Sequence, residues 1–436
     1  MKVGRAVLNT LTFVTVVASV AAVSGALAFA LGYLPPIQID LLPAPTATAT
    51  STITQTPSAT LPPPTATPSP EPSDTPTASS TPTASLTPTE TSTPTPLPRL
   101  ILGPYLQLPA SDSILIVWET DRTAPGEVVF GETGDYGHRV SDSAAPARRH
   151  ALRLEDLSPG QTYHYAIQTS GAPLTDDGTF RTLPSPGSRS LRFAAFGDTR
   201  TGHTTHRRVI GQIIQWDPDL AIHMGDLISH GGVLQEWQTF FDIEDPLLRR
   251  TALLPVLGNH EGNHPLFFDL FYLPGNERWF GLEIAGAYFI ALQLDGYSNF
   301  DEGSEQYNWL KSRLEEHASD WVFVWGHYPP HSAYGEDPHE VEVRSELTPL
   351  FEAYGVDIVF SGHHHDYQRF VFDDVTYVVT GGGGAEIHEV THEEAGMRAY
   401  ANEPHFVGIE LSGDTLTGDI IAQGGAVLDH FILRQD

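Results

Sequence analysis

In the C-terminal part of the chain, short apolar runs alternate with amphipathic stretches. The runs have the composition and length of β-strands, and they read LRFAAFGD, DLAIHMGDLI, ALLPVLGN, AYFIALQLD, WVFVWGH and VDIVFSGH. Helices are predicted between them, for example over 304–316, where Tyr307, Leu310 and Leu314 recur at i, i+3 and i+7. Alternation of strands and helices predicts a layered α/β domain over 190–436.

A different pattern precedes this domain. Residues 100–185 contain short runs with alternating apolar positions, broken by turn signals about every ten residues. Ser158-Pro159-Gly160, for instance, is a turn before the run that begins at Thr162. This pattern predicts an all-β sandwich, and we expect a structural or docking module because ionisable residues do not cluster there.

The N-terminus begins with an apolar segment. Residues 6–34 carry no charge and follow Lys2 and Arg5. The segment exceeds the roughly 20 residues that cross a bilayer, and the preceding positive charges would leave the rest of the chain outside. A cleaved signal peptide with a small-x-small site within 26–30 is the alternative. Residues 1–36 are therefore predicted to be a signal anchor or a signal peptide, and the length of the run favours the anchor.

Residues 37–99 are predicted to be a disordered linker, because they consist mainly of Thr, Pro, Ser and Ala. Such a segment buries too little apolar surface to offset its ordering entropy. In polyproline II, its Thr- and Pro-rich part over 43–98 reaches up to roughly 170 Å, at about 3.1 Å per residue. We expect a stalk O-glycosylated on threonine, or a passive linker, and a protein that is extracellular or held at the cell surface.

Composition narrows the possible partners and ligands. The chain has 23 Lys and Arg against 54 Asp and Glu, a formal net charge of -31, which argues against nucleic acid as a bulk partner. It contains no cysteine, so any metal must be held by oxygen and imidazole. The acidic residues of 299–305 and of 335–346 predict solvated loops, and the alternative is that either segment lies at the rim of the pocket.

Five short segments place Asp, Asn or His directly after an apolar run. They are FGDTR at 196–200, GDLIS at 225–229, GNHE at 258–261, VWGH at 324–327 and GHHH at 362–365. Functional groups of layered α/β domains gather at the carboxyl ends of strands, so these side chains are expected to converge. Each motif recurs by chance, and the prediction therefore depends on the order of all five.

This set of side chains suits two metal ions. Asp226 is the predicted bridge, because one carboxylate can bind two metals with its two oxygens. The other predicted ligands are Asp198 and His365 for the first metal, and Asn259, His327 and His363 for the second. The two histidines of the last motif reach adjacent metals only from a loop. A metal pair about 3.5–4 Å apart generates hydroxide at neutral pH and stabilises in-line displacement at phosphorus. Iron, zinc and manganese all fit such ligands.

In these residues the chain resembles the calcineurin-like metallophosphoesterases, and specifically the purple acid phosphatases. Residues 362–369 are similar to the family's GHxHxYxR block, 378–384 to its glycine-rich strand end, and 103–107 to the start of its N-terminal domain. The resemblance implies a four-layer αββα metallophosphoesterase sandwich after a fibronectin type III-like sandwich. It also implies that His260 protonates the leaving group or stabilises the transition state.

Two positions depart from the family pattern. Ser229 stands where the purple enzymes carry a tyrosine, and Arg200 stands where the wider family often has a histidine. The first metal therefore has three clear protein ligands, and the fourth is predicted to be water or one of three further histidines. These histidines are His203, His206 and His230. Arg200 is predicted to bind a substrate phosphate, because its planar fork suits bidentate contact.

The sequence as a whole predicts an exported dimetal phosphoesterase that hydrolyses phosphate monoesters or diesters by attack of metal-bound hydroxide, assisted by His260. A phosphodiesterase or nucleotidase of the same superfamily is the alternative among enzymes, since pocket width sets this preference. A noncatalytic cell-surface binding module is the alternative of another class. The presence of His260 beside a complete second metal site disfavours that module.

Overall fold

The computed structural model describes residues 96–142, 146–317, 320–334 and 337–435. The predicted signal segment and almost all of the predicted linker lie outside these residues. In the described part of the chain, no helix is long and apolar enough to span a membrane.

The first described region consists of two antiparallel sheets. Its strands are β1 (Leu100–Gln107), β2 (Ile114–Ala124), β3 (Glu127–Gly131), β4 (His138–Ser141), β5 (Ala147–Leu154), β6 (Thr162–Thr169), β7 (Ala172–Pro173) and β8 (Gly178–Arg181). One sheet has the order β1-β2-β5, and the other has the order β4-β3-β6-β7 with β8 paired to β6. Trp118 of β2, Val128 of β3 and Ile167 of β6 are fully buried in one core. This β-rich region agrees with the prediction, and its fibronectin type III-like character stays a prediction.

The α/β region follows with thirteen strands and five helices among the described residues. The strands are β9 (Ser190–Phe196), β10 (Leu220–His223), β11 (Ala252–Pro255), β12 (Phe280–Ile284), β13 (Ala287–Ala291), β14 (Trp321–Trp325), β15 (Ile358–Ser361), β16 (Tyr367–Phe372), β17 (Val375–Thr380), β18 (Met397–Ala401), β19 (His405–Ser412), β20 (Thr415–Ala422) and β21 (Val427–Arg434). The helices are α1 (His203–Trp216), α2 (Leu234–Leu248), α3 (Pro265–Leu270), α4 (Glu305–Glu316) and α5 (Pro338–Ala353).

These strands form two mixed sheets that pack face to face. One sheet has the order β11-β10-β9-β19-β20-β21, and the other β12-β13-β14-β15-β17-β16-β18. Phe193 of β9 contacts Phe289, Phe323 and Phe360 of the second sheet, with ring centroids 5.1, 5.2 and 6.0 Å apart. Such tilted and edge-on pairs stabilise a core beyond the area that they bury.

Helices cover the outer faces of both sheets. Leu310 and Leu314 of α4 and Leu347 of α5 are buried in one cluster with Val324 of β14. On the other side α1 contacts β19, and its Ile213 is fully buried. The order helix, sheet, sheet, helix confirms the predicted four-layer α/β architecture.

The strands that precede the five motifs are confirmed. β9, β10 and β11 run parallel in one sheet, as do β13, β14 and β15 in the other. The predicted helix over 304–316 is α4, and its cap is Ser304, whose Oγ accepts the Tyr307 N–H at 3.2 Å. Parallel strands bring their carboxyl ends to one edge, and the candidate site lies there.

The β-rich region is joined to the α/β region by buried polar contacts. The Tyr105 hydroxyl donates to the Leu270 carbonyl at 2.7 Å, and the Tyr165 hydroxyl donates to the Arg249 carbonyl at 2.8 Å. Gln107 Oε1 accepts a backbone N–H from the loop after α3 at 3.0 Å. The first region therefore packs against α2 and α3.

Candidate metal centre

The predicted ligands lie in loops that directly follow strands. Asp198 follows β9, Asp226 follows β10, Asn259 follows β11, His327 follows β14, and His363 and His365 follow β15. Residues 362–366 form a loop before β16, which is the backbone that the assignment of the last two histidines requires.

Three of these residues have an unusual backbone conformation. The φ angle is +58° at Asp198, +56° at Asp226 and +69° at His363. Residues other than glycine seldom occupy this left-handed region, which costs of order 1–3 kcal/mol each and is concentrated at functional sites. Strain at half of the predicted ligands is typical of a site that fixes the direction of its side chains.

Glu261 joins the loops that carry Asp226 and Asn259. Its buried carboxylate accepts the backbone N–H groups of Asp226 and Leu227 at 2.9 Å and of Gly258 at 2.7 Å. A Cβ at Gly258 would lie 2.3 Å from Asp226 Oδ1, so the two loops meet too closely for a side chain there. Glu261 is the last residue of the GNHE motif, and no role for it was predicted from the sequence.

His327, Asn259 and His363 form what we call the second side of the centre. His327 Nδ1 donates to the Met224 carbonyl at 2.7 Å, and burial lowers the pKa of His327, so the ring is neutral. Its Nε2 lone pair faces Asn259 Oδ1 at 2.9 Å and Asp226 Oδ1 at 3.5 Å. The His363 ring lies 5.3 Å from the His327 ring, between centroids. Acceptor atoms that face one another without a proton between them fit a divalent cation.

Asp198 and His365 belong to the first side of the centre. Asp198 Oδ2 accepts the His363 N–H at 3.0 Å, whereas Oδ1 is buried without a hydrogen-bond partner among the described residues. That oxygen lies 3.5 Å from His365 Nε2. His365 Nδ1 donates to the Glu386 carbonyl at 2.7 Å, and burial lowers the pKa of His365 to about 3. This side also presents a buried carboxylate oxygen and an imidazole lone pair.

The two sides meet at Asp226. Ligand atoms of Asp198, Asp226 and His327 all lie within 4.8 Å of one another. Burial, and then the neighbouring carboxylate of Asp226, raise the pKa of Asp198 well above its usual range. Two buried carboxylates at this separation need positive charge beside them.

Arg200, predicted to bind substrate, lies within the first side. Its Nε donates to Asp226 Oδ2 at 3.2 Å, and its Nη2 lies 3.2 Å from His365 Nε2. Its side chain is 20% exposed. The guanidinium therefore contacts two of the three residues predicted to hold the first metal.

His260 lies at the open edge of the centre. Its Nδ1 donates to the Ser229 carbonyl at 2.8 Å, and its backbone N–H donates to Asp226 Oδ1 at 3.0 Å. Its Nε2 is 3.7 Å from Asp226 Oδ2, and 30% of the side chain is exposed. The ring thus presents Nε2 to solvent beside the bridging carboxylate.

The histidines considered as a fourth ligand have other partners or positions. His206 Nε2 lies 2.7 Å from Glu244 Oε1, and both side chains are buried. His230 lies 2.9 Å from Glu236 and is 73% exposed, and His203 is exposed at the start of α1. The contacts of the described residues therefore favour none of the three as a ligand.

The prediction of a solvated loop over 335–346 is wrong for residues 338–346, which belong to α5. Asp337 caps α5 and Pro338 is its first residue, a pair that was a helix-start signal in the sequence. The helix turns Glu340 inward, where its buried carboxylate lies 2.5 Å from His364 Nε2. One ring nitrogen of His364, an oxygen of Glu340 and a ring nitrogen of His363 lie within 4.8 Å of one another.

Two further contacts position the loops of the first side. The His388 ring stacks on the His365 ring with centroids 4.1 Å apart. The glycine run over 381–384 contacts the segment before Asp198, because its Gly383 N–H donates to the Gly197 carbonyl at 2.9 Å. The sequence carried no signal for His388, because it is a single histidine in an irregular segment.

The chain is similar to known proteins. Residues 191–367 match the calcineurin-like phosphoesterase family. The chain is 27% identical over 320 residues to probable purple acid phosphatase 20 of Arabidopsis thaliana, a match that covers 64% of this chain and 73% of the relative. It is 28% identical over 294 residues to purple acid phosphatase 18 of the same plant, covering 61% and 65%.

Solved structures share the fold. A purple acid phosphatase from yellow lupin (Lupinus luteus) seeds superposes with a TM-score of 0.65 at 20% identity, over 78% of this chain and 74% of that one. PhoD superposes with a TM-score of 0.62 at 14% identity, over 77% and 90%. These likenesses establish the fold, while homology to purple acid phosphatases implies a dinuclear metal centre and leaves the identity of its metals open.

Proposed function

We propose that the protein hydrolyses phosphate monoesters or diesters at the centre around Asp226, with metal ions held on both sides of that carboxylate and His260 beside them. Residues 191–367 match the calcineurin-like phosphoesterase family and the chain is homologous to purple acid phosphatases, so it carries the domain of a phosphate-ester hydrolase.

One observation carries this proposal. His327 Nε2, Asn259 Oδ1 and Asp226 Oδ1 face one another at 2.9 and 3.5 Å, and the proton of His327 lies on its other nitrogen. Three acceptors cannot form hydrogen bonds with one another, so a cation between them would stabilise this arrangement.

The donor atoms fit metals on both sides. His327, Asn259 and His363 would hold the second metal with Asp226, and the orphaned Asp198 Oδ1 and His365 would hold the first. Bound metals supply a nucleophile at neutral pH and neutralise the charge that develops on the phosphoryl oxygens. The chain itself fixes the imidazoles through carbonyl oxygens, at 2.7 Å for both His327 and His365.

His260 is proposed as the proton donor to the leaving group. Because its Nδ1–H is donated to the Ser229 carbonyl, a second proton can be carried only on Nε2. That atom lies 3.7 Å from Asp226 Oδ2, at the open edge of the centre. A proton held there is delivered to the ester oxygen that departs on the open side.

Export is also part of the proposal. Its support is the uncharged run over 6–34 behind Lys2 and Arg5. Cell fractionation with N-terminal sequencing of the mature chain tests it, and a cytoplasmic protein with an intact N-terminus would contradict it.

Turnover and metal content of the same sample test the enzymatic proposal. We expect the purified protein to hydrolyse p-nitrophenyl phosphate, bis(p-nitrophenyl) phosphate or both, to lose activity with a chelator, and to regain it with added metal. His327→Ala should lose bound metal and turnover together. His430→Ala, an exposed histidine of β21 that pairs with Asp419 at 2.7 Å, is the matched control. Protein that binds metal without cleaving either ester would contradict the proposal and favour a binding module.

A further inference from the structure

The first side of the centre already contains a cation. The Arg200 guanidinium reaches Asp226 Oδ2 through Nε and His365 Nε2 through Nη2, each at 3.2 Å. Its side chain is 20% exposed, and the carboxylate that it contacts is 2% exposed. This is a largely buried, charge-assisted pair of contacts and not a surface ion pair.

Arg200 uses the same lone pairs that a metal would need. A guanidinium only donates hydrogen bonds, so His365 Nε2 must be the acceptor. The other ring nitrogen confirms this tautomer, because it donates to the Glu386 carbonyl at 2.7 Å. Asp226 Oδ2 is likewise occupied by Arg200 Nε. A metal on the first side would have to displace both contacts.

The first side has few protein donors that would favour a metal over Arg200. Its remaining predicted ligand is Asp198, and position 229 is a serine. His206, the buried histidine nearest in the chain, is paired with Glu244 at 2.7 Å. Three protein donors, two of them already bound to a cation, hold a metal less firmly than the four donors of the second side.

There is room for the Arg200 side chain to move. A cavity of about 340 Å³ borders it and is lined by Ser229, Thr201 and the carboxylate-bearing Glu236. The side chain of Ser229 is too small to fill that space. The cavity, which buried apolar side chains such as Leu227 and Phe240 also line, gives the Arg200 side chain space to move out of the centre.

We propose that Arg200 is a resident cation in the first metal position, so that the chain binds one metal tightly, on the second side, and another only when Arg200 moves away. The inference rests on the proposed function of the centre as a phosphoesterase metal site. At position 200 this chain has an arginine where the wider family often has a histidine, and this arginine limits how many metals the resting protein holds.

Metal stoichiometry tests this inference independently of turnover. Protein equilibrated with Mn²⁺ or Zn²⁺ and freed of loose metal by gel filtration should contain one ion per chain by elemental analysis. Arg200→Ala should contain two, and its second equivalent should bind about tenfold or more tightly than in the parent, since one charge-assisted hydrogen bond is worth that factor. Arg207→Ala removes an equal charge from the exposed face of α1 and should still contain one.

Variants of each side identify which position is filled. His327→Ala should contain no metal, whereas His365→Ala should keep its one ion. If Arg200→Ala lowers the melting temperature, Arg200→Met repeats the test, because methionine retains much of the bulk of arginine and has no hydrogen-bond donor.

Two contrary results have different meanings. Wild-type protein with two tight ions, of which His365→Ala loses one, would overturn the inference and leave the phosphoesterase proposal intact. Wild-type protein that holds no ion and cleaves neither nitrophenyl ester would overturn both.

Discussion

The two sides of the candidate centre share Asp226 but are built differently. On the second side, His327 and Asn259 present acceptor atoms 2.9 Å apart, and no donor separates them. On the first side, His365 presents an equivalent nitrogen, but Arg200 lies 3.2 Å from it. Similar donor atoms therefore do not mean similar metal affinity, because one cationic neighbour decides whether a lone pair is free.

The difference originates in the loop after β9. That loop supplies both Asp198, a proposed ligand of the first side, and Arg200, two residues later. Two buried carboxylates around one point require positive charge, and a guanidinium on the same loop provides it within the chain. The loops of the second side bring no such cation, so their charge is left for a metal to balance.

Removing the residue shared by both sides should have the largest effect. Asp226→Ala deletes the carboxylate that faces His327 at 3.5 Å and Arg200 at 3.2 Å. We expect loss of bound metal and a fall in kcat/KM of about 10³-fold or more, since metal stabilisation of a transition state is worth several kcal/mol. Elemental analysis and ester hydrolysis measure the two losses.

Asp419→Ala is the control for this variant, because Asp419 lies on β20 and pairs with the exposed His430. It should retain metal and turnover. If Asp226→Ala kept its metal, the centre would not be organised around that carboxylate, and the comparison of two sides would lose its basis.

His260 should matter for chemistry and not for metal. We expect His260→Ala to keep its metal content and to lower turnover by about 10²–10⁴-fold, the range of general acid–base assistance. The loss should be smaller for nitrophenyl esters, whose leaving group needs little protonation, than for alkyl phosphates. His430→Ala controls for the removal of an imidazole.

The leaving-group dependence separates the roles of His260. An equal loss for all esters would make it an electrostatic stabiliser of the transition state. Loss of metal in the same variant would make His260 a ligand, and the second side would then include it.

A smaller loss of metal binding and stability is expected when Glu261, which joins the loops of Asp226 and Asn259, is changed. Glu261→Gln keeps the side-chain shape but replaces the carboxylate that accepts three N–H groups at 2.7–2.9 Å. A buried donor left without its partner costs about 1–3 kcal/mol. We therefore expect a lower melting temperature and weaker metal binding, both measured on one preparation.

Glu410→Gln is the matched control, since Glu410 is exposed on β19 and its contact to Arg192 is 3.8 Å long. Surface ion pairs of this kind contribute little, and its melting temperature should stay close to that of the parent. A Glu261→Gln variant as stable as this control would show that the loops do not depend on the buried carboxylate.

Sequence reasoning identified the strands and the polar residues at their ends, because apolar runs and the carboxyl-end rule are local signals. It could not find the partners supplied by distant segments. Glu340 and His364 are separated by 24 residues, and their 2.5 Å contact depends on which face of α5 turns inward. Arg200 was recognised as unusual, but its contact with His365 across 165 residues of chain appears only in three dimensions.

The last prediction concerns colour, and here we expect no change in the visible spectrum when metal binds. Position 229, where the purple enzymes carry a metal-binding tyrosine, is a serine on the first side. Without a phenolate ligand, the protein loaded with iron should show no phenolate-to-iron charge-transfer band in its visible spectrum. Arg200→Ala, which we expect to admit a metal on this side, should stay colourless as well. A purple wild-type preparation would mean that another tyrosine reaches the first side, and the contrast between the two sides would have to be redrawn around that residue.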